Sequence, residues 1–179
     1  MEHATAEPAR LAALRGYGIM DTPPEPEFDD IVRQAARLLD TPIALISLID
    51  ERRQWFKARV GLSVQETPRS LAFCAHAIAG DGFMVVDDAT RDPQFMNNPL
   101  VMFDPAIRFY AGAVLENRQG HRLGTICVID QKPRAGLSRE KIATLQGLAE
   151  LVIDVLEERQ QQRRDLPQGA DFQLALSRR

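Results

Sequence analysis

The chain lacks any apolar run near the roughly 18 residues a membrane-spanning helix needs. Its polar start, Met1 to Arg10, has no apolar centre of the kind a signal peptide carries. Both absences lead to the expectation of a cytoplasmic protein that makes no membrane contact. Cysteine is scarce. Cys74 and Cys127 are the two present, each set in an apolar run, where a free thiol behaves as a small hydrophobe and a reducing compartment leaves it unpaired. Histidine occurs three times, as His3, His76 and His121, too thinly spread with two cysteines for a zinc site. A basic stripe is missing too: net charge is -3 and the pI is near 5.7, which argues against a nucleic-acid partner. Arg163, Arg164, Arg178 and Arg179 read as solvated ends. No glycine-rich phosphate loop and no Ser-His-Asp set with workable spacing is found. Internal repeats and low-complexity segments are also absent.

What remains is ordinary globular material, 45% hydrophobic and 26% charged over 179 residues, enough for one domain with a full core. Leu11 and Leu14 mark a short first helix over Glu7 to Arg15. Phe28, Ile31, Val32, Ala35, Leu38 and Leu39 recur at three- and four-residue spacing and predict a second, over Glu27 to Leu39. Ile43 to Ile49 is continuously apolar and short, which suits a central strand buried on both faces. Trp55, Phe56, Val60 and Leu62 mark a neighbouring strand across a charged turn. A helix over Leu71 to Ala79 and a strand over Phe83 to Val86 follow. Asp87 to Asp104 is the one long irregular stretch, a candidate binding loop. Arg108 to Leu115 and Leu123 to Ile129 form a hairpin about Asn117–Gly120. Ser138 caps the longest helix, with Leu145, Leu148, Val152 and Val155 in heptad spacing over two heptads only. Short turns between strands make the sheet antiparallel. The amphipathic terminal helices cover one face, and the short helix and long loop cover the other.

Several blocks then suggest a family. Met20–Phe28, Arg53–Gly61, Ser70–Ile78 and Val85–Ala89 occur in order with Asp92–Phe95, Asn98–Val101, Ile107–Ala113 and Leu123–Asp130. Together they resemble a bacterial GAF domain of the type found at the N-terminus of sensor histidine kinases and of cyclic-dinucleotide synthases such as diguanylate cyclases. The resemblance implies an α+β sandwich, with a central antiparallel sheet of five to six strands and a ligand pocket over its front. On this reading 1–6 is a flexible N-terminus, 7–160 the GAF domain and 161–179 a polar C-terminal tail, its last ten residues mobile.

The residues around that pocket expected to touch a ligand are Trp55, Phe73, Cys74, His76, Asp88, Asp92, Phe95, Arg108 and Tyr110. Each has a plainer role as well. Cys74 and His76 lie two apart on a helix and point about 200° away from each other, so they do not grip one ion. Asp87, Asp88 and Asp92 suit turn formation. Trp55 suits packing. The cofactor is left open. The Cys-His pair of bilin-binding relatives is interrupted by Ala75, His76 alone is a weak haem signal, and the Asn-Lys-Phe-Asp-Glu signature of cyclic-nucleotide binders is absent. The expectation is a sensory module that is not an enzyme. It binds an unidentified small molecule, dimerises through its terminal helices and signals to another protein. The alternatives are a ligand-free docking adaptor, its pocket plugged by Phe73, Phe95, Phe109 or Tyr110, and a thiol-dependent reductase of free methionine sulfoxide. The last requires contact between Cys74 and Cys127, which the sequence leaves open.

Overall fold

A computed structural model describes residues 3–166. Helix α2 (Pro26–Leu39) starts on a proline that needs no amide partner, with Glu27 and Asp29 in the first turn beside the positive end of the helix. It buries Phe28, Ile31, Val32, Ala35 and Leu39, and Asp40 stops it by turning left-handed at φ 54°. Strand β1 (Ile43–Ile49) is buried at every residue because it lies between β2 (Arg53–Val60) and β6 (Arg122–Asp130). Strand β5 (Phe109–Glu116) pairs with β6 through the expected hairpin, and β4 (Phe83–Val86) pairs with β5. A three-residue strand, β3 (Glu66–Pro68), closes the other edge. The sheet runs β3-β2-β1-β6-β5-β4, antiparallel throughout.

Alternation along the strands divides the core in two. The back face carries Ala44, Ile46, Leu48, Ala111, Ala113, Ile126 and Val128 under α1 (His3–Tyr17), α2 and α5 (Arg139–Asp165). The front face carries Ile43, Leu45, Ile49, Phe56, Tyr110, Cys127 and Ile129 under α3 (Phe73–Ala79) and α4 (Pro99–Met102). Ser138 caps α5 as expected, its hydroxyl accepting from the Lys141 N–H. Leu145, Leu148 and Val152 of the heptad pattern are buried in the core of the domain itself.

Four readings change. Helix α1 already begins at His3, inside the segment expected to be flexible, and α5 runs on to Asp165, into the expected tail. The part of that tail expected to be mobile, 170–179, lies outside the described residues. Strand β3 and helix α4 were not anticipated, because three or four residues are too few to show a period. Trp55 and Phe109 pack into the back core under the helices, so neither reaches the front of the sheet.

Candidate functional site

The front of the sheet is filled at its centre and hollow at one side. Phe73 on α3 stacks on Phe95 from the long loop, ring centroids 4.0 Å apart and planes within 10°. Tyr110 on β5 tilts against Phe73 at 5.3 Å. Tyr110 lies across Gly112, where an added Cβ would stand 2.3 Å from its hydroxyl. All three aromatic side chains are buried, so they plug the middle of the sheet.

Beneath the plug lies a small polar seam. The Cys74 and Cys127 sulfurs are 3.8 Å apart, and the Tyr110 hydroxyl donates to Cys74 Sγ at 3.3 Å. Ser47 Oγ donates to Gln54 Oε1 at 2.7 Å, and Gln54 Nε2 donates to Thr67 Oγ1 at 3.0 Å. Thr125 Oγ1 is buried without a hydrogen-bond partner and is among the groups that act on the Cys74 sulfur. Burial opposes charge on Cys74, yet Cys127, Thr125, Tyr110 and Ser47 around it outweigh burial and bring its pKa down to about 7. Cys127 is pushed well up by its contact with the Cys74 sulfur and by burial, and Tyr110 by burial and by the Cys74 sulfur.

Beside the plug, between β1–β2 and the α4 loop, is a cavity of about 140 Å³. Ile43, Leu45, Phe56, Leu62, Leu100, Ile107 and Ile129 form its apolar walls, and Gln54, Thr67 and Asp104 supply polar groups. Drug-sized ligands occupy pockets of about 300 Å³ or more, whereas an apolar cavity of about 150 Å³ admits benzene. The cavity is thus scaled to a single ring or a short chain.

Of the nine expected residues, the fold gathers Phe73, Cys74, Phe95 and Tyr110 in the plug and separates the others. His76 leaves the opposite side of α3, exposed, with its Nδ1 2.9 Å from Gln94 Nε2 and its ring edge-on to Phe95 at 5.1 Å. Asp88 accepts from the Thr90 N–H and hydroxyl at 3.0 and 2.6 Å, and those bonds hold its carboxyl below the usual range. Asp92 accepts from the Gln94 N–H at 2.8 Å. Both aspartates shape turns and line an open groove with Arg91 and Leu137. Arg108 donates to the Val101 and Ile107 carbonyls at 2.8 and 3.1 Å, stapling α4 to the loop that follows it. Trp55 is on the other face. The cavity residues Leu45, Gln54, Thr67, Leu100 and Ile107 escaped the sequence reading. The parity of Gln54 with Phe56, two apart on one strand, was the available signal. Among the described residues, no three His, Cys, Asp or Glu side chains gather as a metal set, and no helix is long and apolar enough to cross a membrane.

The plugged sheet, the terminal helices behind it and the roofed cavity in front define a sensory-type α+β domain. The model of the GAF domain family matches residues 23–155, and the chain belongs to that family. A cyclic di-GMP phosphodiesterase of Pseudomonas aeruginosa is 45% identical over 147 residues, 82% of this chain and 25% of that protein. The chain thus spans about a quarter of this relative's length. The GAF domain of an Acinetobacter phosphoenolpyruvate-protein phosphotransferase superposes with a TM-score of 0.61 at 17% identity, over 85% of this chain and 93% of that one. A type II free methionine-R-sulfoxide reductase from Thermoplasma acidophilum gives 0.60 at 17%, over 74% and 91%. These two structural likenesses speak for the fold alone. The phosphodiesterase overturns one expectation, that the protein is not an enzyme. A relative sharing close to half its residues across most of this chain is named for a hydrolytic activity. A GAF fold does not by itself fix activity, so the lack of a catalytic set within it does not decide the question.

Proposed function

We propose that this chain is the GAF sensory region of a cyclic di-GMP phosphodiesterase, where it holds a small compound in the front cavity and sets the rate of hydrolysis. The 45% identity to the Pseudomonas enzyme over 82% of the chain carries this reading. The cavity supports it, being recessed, largely apolar and scaled to a molecule of about one ring. A route from it to α5 is also on hand. Ile107 roofs the cavity and leads directly into β5, and α5 packs across β5. The same proposal includes a homodimer through the terminal helices, because Leu38 on α2 and Leu151 on α5 are 47% and 41% exposed.

The aromatic plug favours a second reading, in which the domain docks onto the phosphodiesterase without any ligand. One experiment separates the two. The matching region of the Pseudomonas phosphodiesterase is replaced by this chain, and cyclic di-GMP hydrolysis is followed with and without a panel of small neutral ring compounds. Sensing predicts an active chimera whose rate shifts with a compound that also stabilises the isolated chain, by about 2.7 kcal/mol at 100 times its Kd. An active chimera that ignores every compound selects the docking reading. A chimera whose rate equals that of the enzyme with this region deleted would overturn both.

A further inference from the structure

The Cys74–Cys127 contact belongs to neither reading, and it joins two separate layers of the front half. Cys74 lies on α3 and Cys127 on the central strand β6, 53 residues apart in sequence and with sulfurs 3.8 Å apart. A disulfide needs about 2.05 Å, so the sulfurs must close the remaining distance. Helix α3 is the shorter of the two elements that carry the pair. It has seven residues and no side-chain cap at either end, and it is followed by Gly80 and Gly82. The front cavity comes near the pair, although both cysteines are buried. Leu45, which pairs with Cys127, and Ile129, two residues further along the same face, both line the front cavity.

We infer that Cys74 and Cys127 form a reversible dithiol that a small hydroperoxide converts into an intramolecular disulfide. The Cys74 thiolate attacks one peroxide oxygen. The O–O bond breaks, a sulfenic acid forms, and hydroxide leaves and takes up a proton as water. The Cys127 thiol then attacks the sulfenic sulfur; the S–S bond forms, the S–O bond breaks, and a second water departs with the Cys127 proton. Two thiols and one hydrogen peroxide thus become one disulfide and two waters, the sulfurs oxidised and the peroxide reduced. Tyr110 is placed to steady the first thiolate, since its hydroxyl already donates to Cys74. The closure is felt at the cavity roof. Phe73, next to Cys74, stacks on Phe95, and Asn98 Nδ2 donates to the Leu71 carbonyl at 3.0 Å just ahead of Leu100 and Ile107.

The test uses the folded chain and does not depend on any phosphodiesterase. Native protein is treated with hydrogen peroxide, cleared with catalase, unfolded in guanidinium with N-ethylmaleimide and weighed intact. Before treatment both thiols take a maleimide; afterwards the expected product is two hydrogen masses lighter, takes none, and regains both thiols with dithiothreitol. Closing a loop of this length should raise Tm, on the order of 10 °C. In Cys127→Ala the reaction should stop at a Cys74 sulfenic acid that dimedone traps. Should that variant not fold, the wild-type masses decide alone. Two maleimide-reactive thiols after peroxide would overturn the inference, as would oxidation that yields only disulfide-linked dimers or a sulfinic acid.

Discussion

Arg159 on α5 donates to both carboxylate oxygens of Glu25, at 2.9 and 3.1 Å. The same carboxylate accepts from Lys57 of β2, whose side chain has no exposed area. Burial alone would raise the Glu25 pKa, but hydrogen bonds from Lys57 and Arg159 bring it below the usual carboxylate range. One acid thus ties the sheet to the last helix, and it is the sole carboxylate paired with Lys57 among the described residues. A charge left buried without its partner is strongly destabilising, whereas a pair near the surface is worth little. Glu25→Ala is expected to lower stability in urea by about 2–3 kcal/mol, and Arg159→Ala by about 1 kcal/mol. Adding Lys57→Met to Glu25→Ala should recover part of the loss, because it removes the stranded ammonium. A Glu25→Ala midpoint equal to wild type would refute the tie.

Acid should probe a different junction. Glu7 on α1 bonds Arg10 and Arg69, and chiefly the Arg10 hydrogen bond lowers its pKa from 4.5 to about 2 against the opposing effect of burial. A depressed carboxyl pKa gives stability that is complete above the unfolded value and is lost as pH falls through the folded one. The window here is therefore pH 4.5 down to about 2. The Glu7 side chain is 37% exposed, so solvent screening trims the gain to about 1 kcal/mol. Glu7→Gln should be that much less stable than wild type at neutral pH and equal to it near pH 2. Parallel urea curves across the range would refute the assignment.

The parts of the fold that were legible in the sequence are those with a period. The α2 stripe, the unbroken β1 run and the hairpin about Asn117–Gly120 follow from spacing and turn chemistry, and the ordered blocks supplied the family. The candidate site was half legible. Phe73, Cys74, Phe95 and Tyr110 were expected on the front and do meet there, but as a plug. Whether two apolar groups fill a space or line it depends on distances that no spacing encodes. Trp55 went to the wrong face because a register shift between Ile46 and Ser47 interrupts the β1–β2 pairing, and a one-residue slip inverts which side a strand presents. The Cys74–Cys127 contact spans two elements far apart in sequence, beyond the reach of local pattern.

Two glycines should respond with opposite signs. A Cβ at Gly124 would stand 1.8 Å from the Ser47 carbonyl oxygen in the neighbouring strand, whereas at Gly147 in α5 it would meet nothing within 4 Å. Gly124→Ala must push β1 and β6 apart, and is expected to cost about 3 kcal/mol or prevent folding. Gly147→Ala should stabilise by about 0.5–1 kcal/mol, since alanine is the better helix former and restricts the unfolded chain. Thermal melts of both variants decide the matter; a stabilising Gly124→Ala would mean the two strands do not approach as described.

The cavity makes the sharpest demand, because its size is the quantity that limits what it holds. Ile107 is buried in its roof. Ile107→Ala removes apolar contacts and widens the hollow, which should lower stability by about 2–5 kcal/mol. If the space does not collapse, the widened hollow is an apolar chamber larger than the one that admits benzene in an engineered case of about 150 Å³. Benzene should then raise the Tm of Ile107→Ala clearly more than that of wild type, because it binds the native state only. Leu100→Phe, which fills the same space from α4, should weaken the response. A variant that loses stability with no gain from benzene would mean that the roof falls in on the gap, and a cavity that collapses so readily cannot set the size of a ligand.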